Sequence, residues 1–402
     1  MASAATGASG TAQAGGAAPS AGQNPFQIAT NLYAEKNLQG LLTAQAATTA
    51  TQQFGGSINA GQYLRGIRLM VRTAVAPAAN TAVNSRTFAT GDGAFDLIPN
   101  ADITNVDGSE ILYNMSGFSH YIQQKYYKPW LQDAALRYDY RAPAAAVGGS
   151  VTLFLQPEIR FTAGVLANTD TRSQYRLDYS LGSLATPGSA TFNVIPYMDA
   201  WAQPDAQDLQ GTPNQPVPPG VNLQVKRRHQ VFNAAASGDN TFLSTLTGNA
   251  IRGLTLICRD ASGNTTRVDG LSDPIYWYLD NRSLGRLNPD MVRQWAEDQY
   301  GTYTLANKSG AIPGANYQTT STAVDPLGAT GNYAGAGSED TGVYVFPRFM
   351  LPGELYGQGW LYTANSTKLA FESSSANSVS TVELVVDEVY PVGNVDPSLV
   401  DI

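Results

Sequence analysis

Charge is scarce in this sequence. Only 14% of its 402 residues are Asp, Glu, Lys or Arg, against about a quarter in ordinary soluble domains. A surface so poor in charge is expected to be covered in large part by neighbours in an assembly. The charge that exists leans negative, at −8. That argues against a sequence-independent nucleic-acid binder, whose affinity comes from neutralising phosphates. Histidine occurs twice, as His120 and His229, in no metal-ligand spacing. Cysteine occurs once, as Cys258, inside the apolar run Leu254-Thr-Leu-Ile-Cys258. An internal disulfide is therefore impossible, a small disulfide-stapled scaffold is excluded, and the reading is a buried structural thiol in a reducing compartment. No apolar run approaches about 18 residues, so no membrane-spanning helix is expected. The N-terminus lacks the basic and apolar regions of a signal peptide.

Reactive constellations are missing too. No Ser sits in a Gly-x-Ser-x-Gly elbow. Ser119 precedes His120, but neighbours on a strand point to opposite faces, so that pair is read as coincidence. Asp92, Asp96, Asp102, Asn105 and Asp107 lack the spacing of a calcium loop and are read as a surface loop. The cluster Lys226-Arg-Arg-His229 and the carboxylates Asp387 and Glu388 are read as solvated or inter-subunit faces. Gly331 to Gly337 lacks the Lys-Ser/Thr of a phosphate loop. Asn-x-Ser/Thr sequons such as Asn264 and Asn307 carry no weight without secretion. Tyr276-Trp277-Tyr278 is the one dense aromatic group and is read as core strand. No catalytic residue, metal site or cofactor is expected, which places a structural protein ahead of an enzyme.

What the chain does have is strand after strand. Apart from Met1 and Pro19, residues 1–23 are Ala, Gly, Ser, Thr and Gln, too polar and small to offset ordering entropy, and are read as a tail. Asn24-Pro25 offers an N-cap and a first-turn proline. Phe26, Ala29 and Tyr33, with Ile28 and Leu32 beside them, make a helical stripe. Residues 1–50 are thus assigned to a tail and helical arm. From about residue 54 the period changes to two. Ile67, Leu69, Val71, Thr73 and Val75 alternate with Arg68, Met70 and Arg72. Phe95–Ile98 and Glu110–Tyr113 are short strand candidates around an Asp107-Gly108 turn. Phe118–Trp130 is aromatic-rich and helical in spacing. Gly149–Leu155 alternates again, as do Tyr175, Leu177, Tyr179 and Leu181. Phe192, Val194 and Pro196 close a first block, residues 51–205.

Residues 206–221 carry Pro213, Pro216, Pro218, Pro219 and Gly220 and read as a linker. A second block, 222–402, follows. Leu223–Phe232, Ala250–Arg259, Pro274–Leu279, Val343–Met350, Leu361–Phe371 and Val382–Tyr390 read as strands. Asn288-Pro289-Asp290 repeats the cap-then-proline device ahead of Val292, Trp295, Ala296 and Gln299. Residues 304–342 form a Gly/Thr/Ala/Ser loop far longer than compact domains usually carry. Many short strands with few helices mean an all-β sandwich or barrel. The two blocks share a layout of strands, a short helix and closing strands, with no identity evident between them.

Several segments, taken in order, resemble the major capsid proteins of tailless icosahedral phages with an internal membrane, the tectivirus type. They are Tyr63–Val75, Asp107–Tyr126, Thr162-Ala-Gly-Val-Leu-Ala-Asn168 with Ser173–Leu177, and Leu287-Asn-Pro-Asp-Met-Val-Arg-Gln-Trp295. The resemblance implies two eight-stranded jelly rolls in one chain, a double jelly roll, with short helices in loops and an N-terminal helix. It implies homotrimers of near-hexagonal outline that tile a virion shell over a membrane, assembled in the host cytoplasm. Penton and minor capsid proteins are implied as further partners. The arm carrying Phe26, Ile28, Leu32 and Tyr33 is then expected to face the membrane or a neighbouring subunit. The long tail and the 304–342 loop depart from the pattern, and that loop is expected on the outer face or around a neighbour. The alternative is a jelly-roll carbohydrate- or receptor-binding surface or spike protein.

Overall fold

The computed structural model describes residues 27–32, 45–46, 52–73, 95, 98–106, 108, 111–127, 150–158, 164–181, 191–202, 223–235, 238–260, 270–292, 342–346, 360–375 and 379–391. In the first half the strands are β1 (Gln27–Leu32), β2 (Gln45–Ala46), β3 (Gln52–Ser57), β4 (Gln62–Thr73), β5 (Asn100–Thr104), β6 (Ile111–Met115), β7 (Ser150–Leu155), β8 (Leu166–Asn168), β9 (Arg176–Leu181) and β10 (Thr191–Ala202). Helix α1 (Gly117–Tyr127) lies between β6 and β7. In the second half they are β11 (Leu223–Asn233), β12 (Gly238–Ser244), β13 (Ala250–Asp260), β14 (Ile275–Leu279), β15 (Arg282–Leu287), β16 (Val343–Phe346), β17 (Leu361–Tyr362), β18 (Leu369–Ser375) and β19 (Val379–Pro391).

One sheet runs β1-β10-β4-β7, with β2 on β10 and β8 on β4. It faces a row β3-β9-β5-β6. In the second half β11-β19-β13-β16, with β17 on β13, is matched by β12-β18-β14-β15. Leaving aside the short β2, β8 and β17, each half is therefore an eight-stranded jelly roll with the same strand order, and the chain is a double jelly roll. The row β3-β9-β5-β6 continues into β11-β19-β13-β16 through one parallel bridge, Arg227 opposite Tyr113. One sheet thus spans both rolls.

Period-two alternation explains how β19 serves two cores. Val382, Leu384 and Val386 pack in the second roll's core with Leu254, Leu256, Cys258, Trp277 and Phe371. Val385 and Val389 point the other way, into a cluster with Ile257, Val343, Val345 and the first roll's Leu112, Tyr113, Ile122 and Leu177. With both faces covered, β13 and β19 are buried along almost their whole length, as strands in the middle of layered sheets are.

The two rolls share a short stretch of sequence and several backbone irregularities, a likeness absent from the layout-level reading of the sequence. Gly61-Gln-Tyr-Leu-Arg-Gly-Ile-Arg-Leu69 on β4 matches Gly248-Asn-Ala-Ile-Arg-Gly-Leu-Thr-Leu256 on β13. Gly61 and Gly248 both take positive φ, at 109° and 105°, a backbone region open to glycine. Their amides donate to the carbonyl oxygens of Asn168 and Thr363 at 2.8 and 3.1 Å. Asp199 pairs with Gly66 and Asp387 with Gly253, and at both places the register skips the preceding arginine, Arg65 or Arg252. The strands β6 and β15 share a second irregularity, skipping Leu112 and Leu284 beyond Tyr113 and Gly285. Each then leads into a capped helix. Ser116 Oγ accepts from the Ser119 amide at 3.1 Å, and Asn288 Oδ1 from the Met291 amide at 3.3 Å.

Several expectations change. Gln27–Leu32 is a strand, not a helix, so the N-terminal helix is corrected to the outermost strand of the first sheet. Its pairing with β10 from Gln27↔Ala202 to Leu32↔Tyr197 gives its backbone partners that no local helix could. Ile28 and Leu32 lie in that strand, whereas Phe26 and Tyr33 fall outside the described residues. The strand expected at Phe95–Ile98 begins at Asn100 instead, after Phe95 and Ile98 turn into the core. Leu361–Phe371 is two strands, β17 and β18, rather than one. The helix after Asn288 is described over residues 289–292, with Val292 buried. The 206–221 linker, all but the last residue of the 304–342 loop, and Trp295 lie outside the described residues.

Candidate functional site

The concentration of ionisable side chains lies between the rolls. Three elements build it. Strand β11 supplies Arg227 and His229, strand β19 supplies Glu383 and Asp387, and α1 with β6 supplies Ser119, His120, Gln123 and Tyr113. Alternation puts residues 225, 227 and 229 of β11 on the face that also carries 383, 385, 387 and 389 of β19. The N-cap Ser116 starts α1 so that Ser119, His120 and Gln123 in its first two turns are buried against that face.

At one end, Glu383 Oε1 accepts two hydrogen bonds, from Ser119 Oγ at 2.9 Å and from His229 Nδ1 at 2.9 Å. The bond to Glu383 raises the His229 pKa against the opposing effect of burial. Burial alone would push Glu383 up, but the His229 bond and the Arg259 charge hold it below its ordinary value. The imidazolium–carboxylate form is thereby favoured. At the centre, Asp387 is fully buried and receives Arg252 Nη2 at 2.8 Å, Arg252 Nε at 3.1 Å and Arg227 Nε at 3.2 Å. The Arg227 guanidinium lies over the Tyr113 ring, 4.8 Å from its centroid. On the opposite face of the same strands, Arg228 forks onto Glu388, with Nη2 at 2.8 Å, and Asn249 Nδ2 adds a bond at 2.7 Å. His120 Nε2 donates to the Ala101 carbonyl oxygen at 2.9 Å. Burial, then the Arg227 charge, lowers its pKa to about 3, so it stays neutral.

The first roll carries the repeat of this centre in a looser form. Arg65 and Arg68 lie 3.6 and 3.8 Å from Asp199. Arg65 bonds Glu158 instead, at 2.6 Å, and Glu158 accepts from Trp201 Nε1 at 2.7 Å.

Arg227, His229, Asp387 and Glu383 are thus partners across one seam rather than solvated or inter-subunit faces, while Lys226, half-buried, and the Arg228–Glu388 pair lie on the opposite face of the same strands. Arg227 is 1% exposed and Asp387 and Glu388 are 0%. Ser119 and His120 share a helix, not a strand, and make separate bonds. The Ser119, Glu383 and His229 set has the carboxylate in the middle. The histidine does not touch the serine, so no base activates a nucleophile. Cys258 is buried, as expected. Of the acidic stretch 92–107, Asp102 is described on β5 directly opposite Asp178 of β9. Burial raises its pKa to about 6, aided by Asp178 and opposed by the Asn100 bond. A cleft of about 310 Å³ opens there, lined in part by Asp102, Asp178, Arg176 and Gln53. Among the described residues no group of three His, Cys, Asp or Glu could hold a metal ion. Trp277 is fully buried, stacked on Phe346 and Phe371, which removes it as a ligand platform. Among the described residues no helix is long and apolar enough to cross a membrane.

Comparison with known proteins agrees with the topology. No protein-family model matches the chain, and no curated protein sequence is detectably similar. Solved structures do match over nearly their whole length. The major capsid protein P2 of bacteriophage PM2 is 11% identical, with a TM-score of 0.51 over 92% of this chain and 99% of that one. A chain from the atomic structure of Sulfolobus Turreted Icosahedral Virus is 14% identical, with a TM-score of 0.56 over 93% and 95%. The crystal structure of the STIV MCP gives 14% identity and a TM-score of 0.53 over 90% and 96%. The chain has the double jelly-roll fold that these viral capsid proteins share.

Proposed function

We propose that this chain is the major capsid protein of an icosahedral virus and works as a building block, not a catalyst. The observation that carries the reading is the duplicated roll, with the two copies joined through β6 and β11. That contact is heterologous, because different edges of the two rolls meet. A heterologous contact applied repeatedly closes into a ring when its rotation allows. Closure after six rolls takes three chains, which gives a homotrimer of near-hexagonal outline suited to tiling a shell. The scarcity of charge fits lateral faces that pack on one another. Fold likeness to capsid proteins supports the same reading, as does the lack of any acid–base constellation among the described residues.

Two finer assignments belong to the proposal. The chain divides into a first roll ending near 205 and a second from 222, joined through 206–221, with β1 assigned to the first roll. The stretch with Phe26, Ile28, Leu32 and Tyr33 faces a neighbour or, at its leading end, an internal membrane. Light scattering on the purified protein tests the central claim. The expected mass is three times the 42.7 kDa of one chain. A stable monomer at all concentrations would refute the capsomer. Deletion of residues 24–42 should abolish particle formation, and normal particles from that variant would remove the arm's role.

A further inference from the structure

The aromatic run on β14 divides by alternation. Trp277 points into the second roll's core, so Tyr276 and Tyr278 stand on the outer face of the same sheet. Two complete rows cross that face. Thr241, Glu372, Tyr276 and Arg286 lie side by side on β12, β18, β14 and β15. Leu243, Ala370, Tyr278 and Ser283 make the next row. Leu243 is 50% exposed, and both tyrosines are half-buried, with surface left in water.

The orientation of Tyr278 follows from its partner. Its hydroxyl donates to Glu372. Glu372 does not lie opposite residue 278 but opposite residue 276, two positions along the strand. Two positions span about 7 Å, close to the reach of a tyrosine side chain. The ring therefore lies along the sheet instead of standing up from it, and turns one flat side outward. Ala370, directly opposite Tyr278, is small enough to leave room for it. Glu372 and Arg286 flank Tyr276, and the Arg286 guanidinium lies 5.7 Å from the centroid of the Tyr276 ring. The first roll has the same strands without this surface. Aligned on the irregularity shared by β6 and β15, Asp102 takes the place of Tyr276, Thr104 that of Tyr278 and Asp178 that of Glu372. The fold itself therefore does not require aromatic rings there.

Exposed apolar surface rimmed by polar groups marks a place where something binds. The face of a tyrosine ring is electron-rich and packs against the C–H bonds that line one side of a pyranose ring. A carboxylate and a guanidinium at the rim accept from and donate to the hydroxyls of such a ring. Opposite charges on either side of Tyr276 suit an uncharged ligand. A second copy of this chain docked here would desolvate Glu372 and Arg286 at the centre of the contact. Sugar hydroxyls can bond both while water still reaches them. We infer that this face of the second roll binds neutral hexopyranose units of glycans, with Tyr278 as the platform and Glu372 and Arg286 as the hydroxyl-binding pair. The inference goes beyond the building-block reading and does not rest on the trimer: it gives the chain a means of recognising a sugar-coated surface.

Saturation-transfer NMR on the full chain tests it, with lactose, cellotriose, maltotriose and tri-N-acetylchitotriose as probes at millimolar concentration. At least one of them should receive magnetisation, most strongly at the protons on one side of a ring. Tyr278→Ala should weaken binding of that sugar roughly tenfold or more, because it removes the platform. Tyr278→Phe keeps the ring and should bind nearly as the wild type does. An unchanged melting temperature checks that each variant is folded. Silence from the whole panel would overturn the inference, as would binding that survives Tyr278→Ala in a folded chain. Glu372→Gln covers the case in which Tyr278→Ala misfolds: it should weaken binding too, and unchanged affinity would count against the site. A fall in particle mass on Tyr278→Ala would mean that the face meets a second copy instead, and would also overturn the inference.

Discussion

Asp387→Asn removes one charge at the centre of the seam and almost no volume. Two guanidinium groups, from Arg227 and Arg252, then lose their common carboxylate in a site with side-chain exposures of 1% and 2%. Breaking a buried pair by removing one partner costs about 3–5 kcal/mol, because the remaining charge stays desolvated. The equivalent change in the first roll, Asp199→Asn, is expected to cost about 1 kcal/mol, since the Asp199 contacts are long and Arg65 keeps Glu158. A chain of 402 residues has an unfolding entropy near 0.8 kcal/mol/K, so each kcal/mol lowers the melting temperature by about 1.2 °C. Thermal denaturation should then show a drop of about 4–6 °C for Asp387→Asn if the chain melts as one unit, and roughly twice that if the second roll melts alone. Asp199→Asn should lose about 1 °C. Replacing the trio together, as Asp387→Leu with Arg227→Met and Arg252→Met, should recover most of the loss, because no unpaired charge is then left at the centre of the seam. Equal melting shifts for Asp387→Asn and Asp199→Asn would refute the argument that burial, not mere pairing, sets the cost.

Stability should also depend on pH. The folded pKa of Asp102, about 6, lies above its ordinary value of 3.8, so its contribution is full below about 4 and is lost as pH rises through 6. His229, also raised, contributes below its unfolded value of about 6.5 and loses that contribution as pH rises through its folded pKa. Glu383, lowered, acts oppositely and weakens the fold as pH falls through its folded pKa. Melting temperatures should therefore carry a falling component from about pH 4 to 6 through Asp102, which Asp102→Asn should remove, and should fall again above about pH 6.5 through His229; an identical slope between pH 4 and 6 in the variant would contradict the assignment. Trp277→Ala should cost about 3–5 kcal/mol by emptying the stack between Phe346 and Phe371, read by denaturant titration. Gly66→Ala would bring a Cβ to 2.7 Å from the Phe154 ring and 2.8 Å from the Leu155 carbonyl oxygen. A loss of about 1–3 kcal/mol is expected, and a neutral result would mean that β4 and β7 separate freely.

Period-two alternation carried most of the fold. Leu177, Tyr179 and Leu181 point inward where the pattern puts them, and β4, β13 and β19 lie where the apolar runs are. The errors have local causes. Phe26, Ala29 and Tyr33 fit a helix by spacing, yet Gln27–Leu32 is a strand because β10 offers a partner that no local pattern reveals. Gly238–Ser244 was not anticipated, because an edge strand with polar residues such as Asp239, Asn240 and Thr241 lacks an apolar run. The charged seam was misread for a related reason. Charges on a strand are usually solvated, and only contact between the rolls shows that residues 383 and 387 face a second layer. A signal did exist. Leu64-Arg-Gly-Ile67 and Ile251-Arg-Gly-Leu254 stand at equivalent places in the two halves, and an arginine repeated before glycine inside an apolar strand needs a buried acid in both.

The single bridge between Tyr113 and Arg227 has a mechanical meaning. It makes the central sheet continuous from β3 to β16, so bending one roll against the other would have to tear hydrogen bonds and expose charge at the same time. In a curved wall built from such chains, the flexing that five-fold corners demand would fall on the joints between separate molecules, leaving each molecule rigid.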